Sequence, residues 1–103
     1  MTTEDLEPLT DWLLSQDPDV TYDPRHGDDC LMTRFYRATV PGAVGSRSTA
    51  PDRWVDGDGK SHGSGLTRQV VGRIAFLRPW TYGGALQRID ELAAEREREA
   101  EFP

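Results

Sequence analysis

The stretch from Leu66 to Glu95 constrains the fold more than any other part of the chain. In its first half apolar side chains recur at every second position, which is typical of a strand. One face would carry Val70, Gly72, Ile74 and Phe76, and the other Gln69, Val71, Arg73 and Ala75. A helix that places Val70, Ile74 and Leu77 on one face fits nearly as well. Because Gly72 in its interior would cost about 1 kcal/mol relative to alanine, we predict a strand.

After Pro79 the apolar period changes to three and four residues. The apolar positions are Tyr82, Ala85, Leu86, Ile89, Leu92 and Ala93. This stripe is wide enough to cover one face of a sheet, and Thr81 has the side chain expected of an N-cap. We therefore predict an amphipathic helix that packs back across the strand. Gly83 and Gly84 either weaken its first turn or permit close approach to a neighbouring backbone.

Charge is segregated along the 103 residues, which carry a net charge of −6. Residues 1–29 hold nine acids against one arginine, residues 30–80 hold eight bases against three acids, and residues 81–103 hold six acids against three arginines. Either the acidic ends are solvated faces around a core, or oppositely charged faces meet in an assembly or on a partner. Arginine supplies eleven of the twelve bases, which suits planar contacts to carboxylate or phosphate.

Length and composition indicate one small intracellular domain. Hydrophobic residues make up 36% of the chain, enough for a modest core. The single Cys30 excludes an internal disulfide. No apolar run approaches the roughly 20 residues that span a bilayer, and the acidic N-terminus lacks a signal peptide. We therefore expect a soluble protein without membrane contact.

An N-terminal helix is predicted over Glu4–Ser15. Its apolar face consists of Leu6, Leu9, Trp12 and Leu13. Thr2 or Thr3 can cap it. Since Pro8 is tolerated only near a helix start, the helix begins at Glu4 or at Glu7.

The next segment, Asp17–Asp29, is rich in turn residues and reads as an acidic loop. His26 lies near several aspartates and Cys30, and imidazole, carboxylate and thiolate all bind metals. The spacing matches no common ligand signature, and the other histidine, His62, is far along the chain. We therefore predict no metal site.

A second strand is predicted over Cys30–Val40. One face would carry Cys30, Met32, Tyr36, Ala38 and Val40, and the other Leu31, Phe35 and Arg37. Because both faces are partly apolar, the strand is expected to be central or bulged. Arg34 and Tyr36 also suit nucleic-acid contact through phosphate binding and stacking, although ordinary strand composition explains them equally well.

The segment Pro41–Gly65 is predicted to form a long loop or hairpin. It holds six glycines, four serines and two prolines in 25 residues. Asp56-Gly57-Asp58-Gly59 predicts a turn, and the preceding Arg53-Trp54-Val55 could form one hairpin arm. The other arm, Lys60–Leu66, is poor strand material. Gly59-Lys60-Ser61 and Asp56-x-Asp58 match a phosphate-binding loop and a calcium loop only in part, so we expect no cofactor.

Together these segments predict an α+β fold. A small, mostly antiparallel sheet would be packed by an N-terminal and a C-terminal helix, with the long central loop or hairpin over residues 41–65. The chain would form a single domain over residues 1–103, in which residues 95–103 are a charged helical tail.

Two segments at the ends of the chain resemble a known family. Leu9–Pro24, LTDWLLSQDPDVTYDP, is similar to the opening of small tail-terminator and neck proteins of long-tailed bacterial and archaeal viruses. Those proteins often begin with a helix, then a short acidic stretch with Tyr-Asp-Pro, then a strand. Gln69–Leu92 is similar to their last strand and final helix. The central segment matches nothing in that family.

The resemblance implies a non-enzymatic α+β subunit that forms a ring, commonly a hexamer, and joins the viral tail to the head. It would act in the virion, assembled in the host cytoplasm, beside other tail or neck proteins. The basic residues Arg47, Arg53 and Lys60 could then face DNA in the lumen or acidic neighbours. The resemblance carries over no catalytic, cofactor or metal residue. Segregated charge suits a ring, in which each interface pairs two different patches.

Charge and aromatic character select the candidate interface residues. They are Arg47, Arg53, Trp54, Lys60, Arg73, Arg78 and Phe102. The alternative is a small regulatory or nucleic-acid-binding module that uses the basic central segment, with Arg34, Arg37 and Arg68 added to its basic residues. A net charge of −6 disfavours tight nonspecific binding to DNA, because the acidic ends repel phosphates.

Overall fold

The computed structural model describes residues 6–47 and 49–101, the last two of them by backbone only. Within these ranges the chain has four helices and one three-stranded antiparallel sheet, with helices at both ends, which confirms the α+β class. The helices are α1 (Glu7–Leu14), α2 (Leu31–Thr39), α3 (Arg68–Ala75) and α4 (Tyr82–Glu101), and the strands are β1 (Ala43–Arg47), β2 (Ala50–Asp56) and β3 (Ser61–Gly63).

Helix α1 begins at Glu7, the later of the two predicted starts. Pro8 falls in its first turn, where a missing N–H removes no helical hydrogen bond. Leu9 and Leu13 are fully buried on one face, as their four-residue spacing predicts. The start predicted at Glu4 and its threonine cap lie outside the described residues.

The strand predicted over Cys30–Val40 is wrong, because this segment is helix α2. Its buried apolar side chains are Leu31, Met32, Phe35 and Tyr36. Two adjacent apolar pairs four residues apart form one helix face, but they also place apolar residues on both sides of a hypothetical strand. The Cys30 Sγ accepts a hydrogen bond from the Thr33 N–H at 3.4 Å and caps the helix.

The strand predicted in the first half of Leu66–Glu95 is also wrong, because this segment is helix α3. Adjacent apolar pairs again fit both a helix and a strand. Its buried side chains are Val70, Val71, Ile74 and Ala75. The Thr67 Oγ1 accepts a hydrogen bond from the Val70 N–H at 3.3 Å, an N-cap worth about 1 kcal/mol. Gly72 faces open space. Its cost of about 1 kcal/mol is offset by the cap and by the buried apolar face.

The sheet comes from the central segment, in the strand order β1-β2-β3. The predicted hairpin is present: the chain turns between β2 and β3 at Asp56-Gly57-Asp58-Gly59, with Gly59 at a φ of +82°. The Asp56 Oδ1 accepts hydrogen bonds from the N–H groups of Asp58 and Lys60 at 2.9 and 3.1 Å. Lys60–Leu66 was expected to be poor strand material, but Ser61–Gly63 within it forms the second arm.

Strand β1 is held close to α2, which explains how a glycine-rich segment forms a sheet. The Ser46 N–H donates to the Thr33 Oγ1 at 3.0 Å, and the Arg37 Nε donates to the Val44 carbonyl at 2.6 Å. A Cβ at Gly45 would lie 3.3 Å from the Thr33 side chain. The small residue therefore allows the close approach of strand and helix.

Helix α4 confirms the predicted C-terminal helix. The Thr81 Oγ1 accepts a hydrogen bond from the Gly84 N–H at 3.0 Å, as an N-cap does. A Cβ at Gly84 would lie 2.6 Å from the Pro79 carbonyl oxygen, so this glycine permits the close backbone approach considered from the sequence. The helix packs its buried side chains, Tyr82, Ala85, Ile89 and Leu92, into the core.

A buried arginine joins α4 to the end of α3. The Arg88 side chain donates from Nε to the Ile74 carbonyl at 2.8 Å, from Nη1 to the Pro79 carbonyl at 3.1 Å and from Nη2 to the Tyr22 hydroxyl at 3.1 Å. The Tyr22 hydroxyl donates in turn to the Ala75 carbonyl at 2.8 Å. Carbonyls at a helix C-terminus lack helical partners and favour a cation. This network fixes the corner at residues 76–81.

Candidate interaction surface

Two arginines of the sheet converge on one serine hydroxyl. The Arg47 Nη1 and the Arg53 Nε lie 3.4 and 3.3 Å from the Ser61 Oγ, and the Arg53 Nη2 donates to the Ser61 carbonyl at 3.1 Å. Arg47 is the last residue of β1, Arg53 lies on β2 and Ser61 on β3, so antiparallel pairing of all three strands brings these side chains together. A hydroxyl and a carbonyl orient the guanidinium groups but leave their charge unneutralised.

Two more arginines lie against an aromatic ring at the corner between α3 and α4. The guanidinium carbons of Arg25 and Arg78 lie 5.1 and 4.7 Å from the ring centroid of Trp80. The Trp80 Nε1 donates to the Phe76 carbonyl at 3.1 Å, which fixes the orientation of the indole. Cation–π contact of this kind is favourable and leaves most guanidinium N–H donors available.

A cleft connects the sheet arginines to the corner. Its volume is about 140 Å³, and its lining includes Arg25, Arg47, Pro51 and Phe76. A wider cleft of about 410 Å³ lies on the other part of the corner, lined by Thr21, Tyr22, Arg78, Pro79, Trp80 and Thr81. We use the name arginine face for the continuous surface formed by Arg25, Arg47, Arg53, Phe76, Arg78 and Trp80.

Three of the four arginines of the arginine face make no ion pair with the described residues. Within the described part of the chain, no carboxylate oxygen lies within 4.0 Å of Arg47, Arg53 or Arg78. Arg25 differs, because its side chain binds both carboxylate oxygens of Asp23 at 3.0 and 3.1 Å. The hydrogen bond from Arg25 lowers the pKa of Asp23 below its ordinary value. The surface therefore offers three guanidinium groups to an acidic partner.

Apolar groups lie among these charges. Phe76 is 43% exposed and its neighbour Leu77 is 54% exposed, and Trp80 is half-buried. Aromatic and arginine side chains are the residue types that dominate the energetics of protein interfaces. The mixture suits a partner segment that carries both carboxylates and an apolar side chain.

The remaining candidate residues lie elsewhere. Trp54 packs against the core and stacks on His62, with ring centroids 4.2 Å apart. Lys60 is exposed in the hairpin turn at the margin of the arginine face. Arg73 pairs with both carboxylate oxygens of Glu95 at 2.8 and 3.0 Å. Phe102 lies outside the described residues.

Sequence reasoning identified Arg47, Arg53 and Arg78 but missed Arg25, Phe76 and Trp80 as members of the same surface. Arg25 stands in an acidic segment, and its proximity to Trp80 depends on how residues 17–29 fold back. The apolar pair Phe76-Leu77 could have indicated this surface. It follows Ala75, the last buried residue of α3, and so lies outside the face of α3 that packs into the core.

The described side chains do not form a nucleophile with a base. Cys30 is buried and caps α2. The His62 Nε2 lies 2.8 Å from the Asp56 Oδ2, and His26 lies 3.6 Å from Asp23. The hydrogen bond with His62 lowers the pKa of Asp56. Neither histidine hydrogen bonds to a serine, threonine or cysteine side chain in the described part of the chain, as nucleophilic catalysis requires.

Comparisons with known proteins add no family to these observations. No protein-family model matches the chain, and no curated protein and no solved structure matches it either. Residues 6–47 and 49–101 contain no group of three or more side chains that could hold a metal ion. The same ranges contain no helix that is long and apolar enough to cross a membrane.

Proposed function

We propose that the protein is a non-enzymatic assembly subunit whose arginine face binds an acidic surface of a neighbouring subunit. One observation carries this proposal. Three arginines of this face have no carboxylate within 4.0 Å among the described residues, although the chain as a whole carries a net charge of −6. An acidic chain that pairs several of its arginines but leaves these three without a carboxylate has a surface complementary to its own acidic parts.

The proposed contact joins two different surfaces of the chain, the arginine face and the acidic C-terminal half of α4. The acidic C-terminal half of α4 belongs to a helix that packs on α1 and α3, whereas the sheet arginines belong to strands that pack mainly on α2. A contact between two different patches is heterologous, and heterologous contacts close into a ring when the rotation between subunits allows it. A ring is the form that the resemblance to tail-terminator and neck proteins implies.

The specific role we propose is that of a tail-terminator or neck subunit in the virion of a tailed virus, beside other tail or neck proteins. It is supported by the two segments of sequence resemblance and by the unpaired arginines of the arginine face. The strand that those proteins have after the Tyr-Asp-Pro stretch, and the one before the final helix, correspond here to α2 and α3. The secondary structure of these two segments therefore differs from that family. The proposed role depends instead on the contacts between subunits.

The second candidate function is a nucleic-acid-binding module, and the same arginines favour it because they would suit phosphate groups. The two tryptophan rings near these arginines argue against stacking of bases, whereas Phe76 is 43% exposed. Trp80 lies under the guanidinium groups of Arg25 and Arg78, and Trp54 is covered by His62. Base-stacking platforms need open ring faces, so phosphate contact would have to supply most of the affinity.

The native mass of the protein, measured across a concentration series, tests the proposed function. At low ionic strength we expect discrete oligomers that shift toward monomers as salt screens the contact. Arg47→Glu should abolish them, whereas Arg68→Glu, an equal change of charge at the exposed first residue of α3, should not. A monomer at every concentration, or equal loss in both variants, would overturn the proposal. Tight, salt-dependent binding of duplex DNA by that monomer would support the second candidate.

A further inference from the structure

We infer that the arginine face binds residues 97–103 of a second copy of this chain, with Phe102 seated in the cleft beside Trp80. This inference rests on the proposed function and names the partner surface. We use the name C-terminal segment for residues 97–103, EREAEFP. It combines carboxylates with a single aromatic residue, which are the two chemistries that the arginine face accepts.

The charges of the two surfaces are complementary. Glu97 and Glu99 are exposed on the last turns of α4, and the C-terminal segment holds three glutamates against Arg98. On the arginine face, Arg47 and Arg78 have no carboxylate within 4.0 Å among the described residues. Pairing guanidinium with carboxylate in a partly desolvated contact is stronger and more directional than the contacts that these arginines make in one chain.

The cleft of about 410 Å³ suits an aromatic side chain. Pro79 and Trp80 supply apolar walls, and Arg78 lies at its rim over the indole. An aromatic side chain that fills a pocket is a common anchor of a protein interface. The C-terminal segment offers one such anchor, Phe102, directly after Glu101.

The length of α4 separates its last turn from the cleft of the same chain. The helix starts at Tyr82, two residues after Trp80, and continues for 20 residues to Glu101. A helix of this length spans about 30 Å, and one further residue adds less than about 4 Å. The last turn of α4 is therefore far from the cleft at the start of the same helix, and we infer that the contact is made between copies.

Such a contact is heterologous, because the arginine face of one copy receives the C-terminal segment of the next. An open assembly of this kind keeps one free arginine face at one end and one free C-terminal segment at the other. The assembly can therefore add further copies, and it closes into a ring when the rotation between copies allows it. This explains why one chain would contain both an unpaired basic surface and an acidic helix that extends beyond its last buried residue, Leu92.

A labelled peptide tests this inference directly. The peptide EREREAEFP, residues 95–103 with an amidated end, is titrated with the full chain at a concentration where the chain is monomeric, and binding is followed by fluorescence anisotropy. We expect saturable binding, with about tenfold or greater weakening when its phenylalanine is replaced by alanine. Arg78→Glu in the full chain should remove binding, and Arg68→Glu should retain it.

The possible outcomes separate this inference from the proposed function. Absence of binding, or equal binding of the phenylalanine and alanine peptides, overturns the inference. If the full chain nevertheless forms oligomers that Arg47→Glu abolishes, the proposed function stands with another acidic surface as partner. If the peptide binds as expected while the full chain stays monomeric at every concentration, the contact is real and the ring is wrong.

Discussion

The buried guanidinium of Arg88 and the guanidinium groups of the arginine face show two ways in which a protein treats the same charge. Arg88 is 8% exposed and donates to two carbonyls and one hydroxyl of its own chain. Arg47 is exposed and reaches a serine hydroxyl at 3.4 Å. The comparison indicates that the first arginine stabilises the fold, whereas the second is available to a partner.

The largest expected effect comes from replacing Arg88 by methionine, which keeps the length of the side chain and removes its donors. The Ile74 and Pro79 carbonyls and the Tyr22 hydroxyl would lose their partner. We expect the free energy of unfolding to fall by about 3 kcal/mol or more, because each buried polar group left unsatisfied costs about 1 to 3 kcal/mol. Urea unfolding followed by circular dichroism measures this change.

Arg47→Met is the matched control. Because its side chain is exposed, we expect a change within about 0.5 kcal/mol. Equal losses in the two variants would contradict the division between a structural arginine and an available one. A loss of self-association in Arg47→Met, with unchanged stability, would sharpen it.

An alkaline titration tests whether burial stabilises the neutral form of the core tyrosines, as burial and hydrogen bonding make Arg88 part of the fold. Burial raises the pKa of Tyr36 to about 12 and also raises the pKa of Tyr22. The unfolded chain then releases its protons at lower pH, near the ordinary value of 10.0, so stability is present below that pH and falls as the pH rises toward 12. For Tyr36 the loss is about 2 to 3 kcal/mol.

Urea unfolding at several pH values between 9 and 12 measures this loss. Tyr36→Phe removes the ionisable group, and its stability should fall less steeply over the same range, although it also lacks the hydrogen bond to the Pro51 carbonyl. Parallel pH dependence in the two proteins would mean that Tyr36 is not held neutral by burial.

The smallest expected effect concerns the ion pair between Arg73 and Glu95, which is already neutralised and solvent-exposed. The hydrogen bond from Arg73 lowers the pKa of Glu95 below its ordinary value of 4.5. Its contribution is therefore present above that pH and is lost as the pH falls through the lowered value. Glu95→Gln should lower the melting temperature only slightly, and less so at high salt. Self-association should be unchanged, unlike in Arg47→Glu.

The fold class was predictable from the sequence, but the position of the sheet was not. The helix α4, its Thr81 cap and the turn at Asp56–Gly59 have clear local signals, and these predictions are confirmed. Helices α2 and α3 have only eight or nine residues each, so their adjacent apolar pairs were consistent with either period. The side-chain caps decided the outcome, and Cys30 is an unusual residue for that role.

The sheet could not be predicted from the sequence, because glycine and serine have low strand propensity. It is stabilised by contact with α2 through Thr33. The arginine face was predictable only in part. Composition indicated Arg47 and Arg53, since basic residues cluster in the central segment. The contact of Arg25 with Trp80 joins residues 55 positions apart in sequence, and no local pattern encodes it.

The most direct measurement of the central claim is the mass of a mixture of two defective variants. One variant carries Arg47→Gln and Arg78→Gln on the arginine face, and the other carries Glu97→Gln, Glu99→Gln and Phe102→Ala in the C-terminal segment. Each alone should be monomeric, with circular dichroism and urea midpoints close to those of the unmodified chain.

Mixed in equal amounts, the two variants retain one intact arginine face and one intact C-terminal segment between them. The account predicts a complex of two chains, one of each variant, that grows no further at any concentration. A mixture that remains monomeric, or variants that each still form the oligomers of the unmodified chain, would contradict the claim that the arginine face of one copy binds the C-terminal segment of the next.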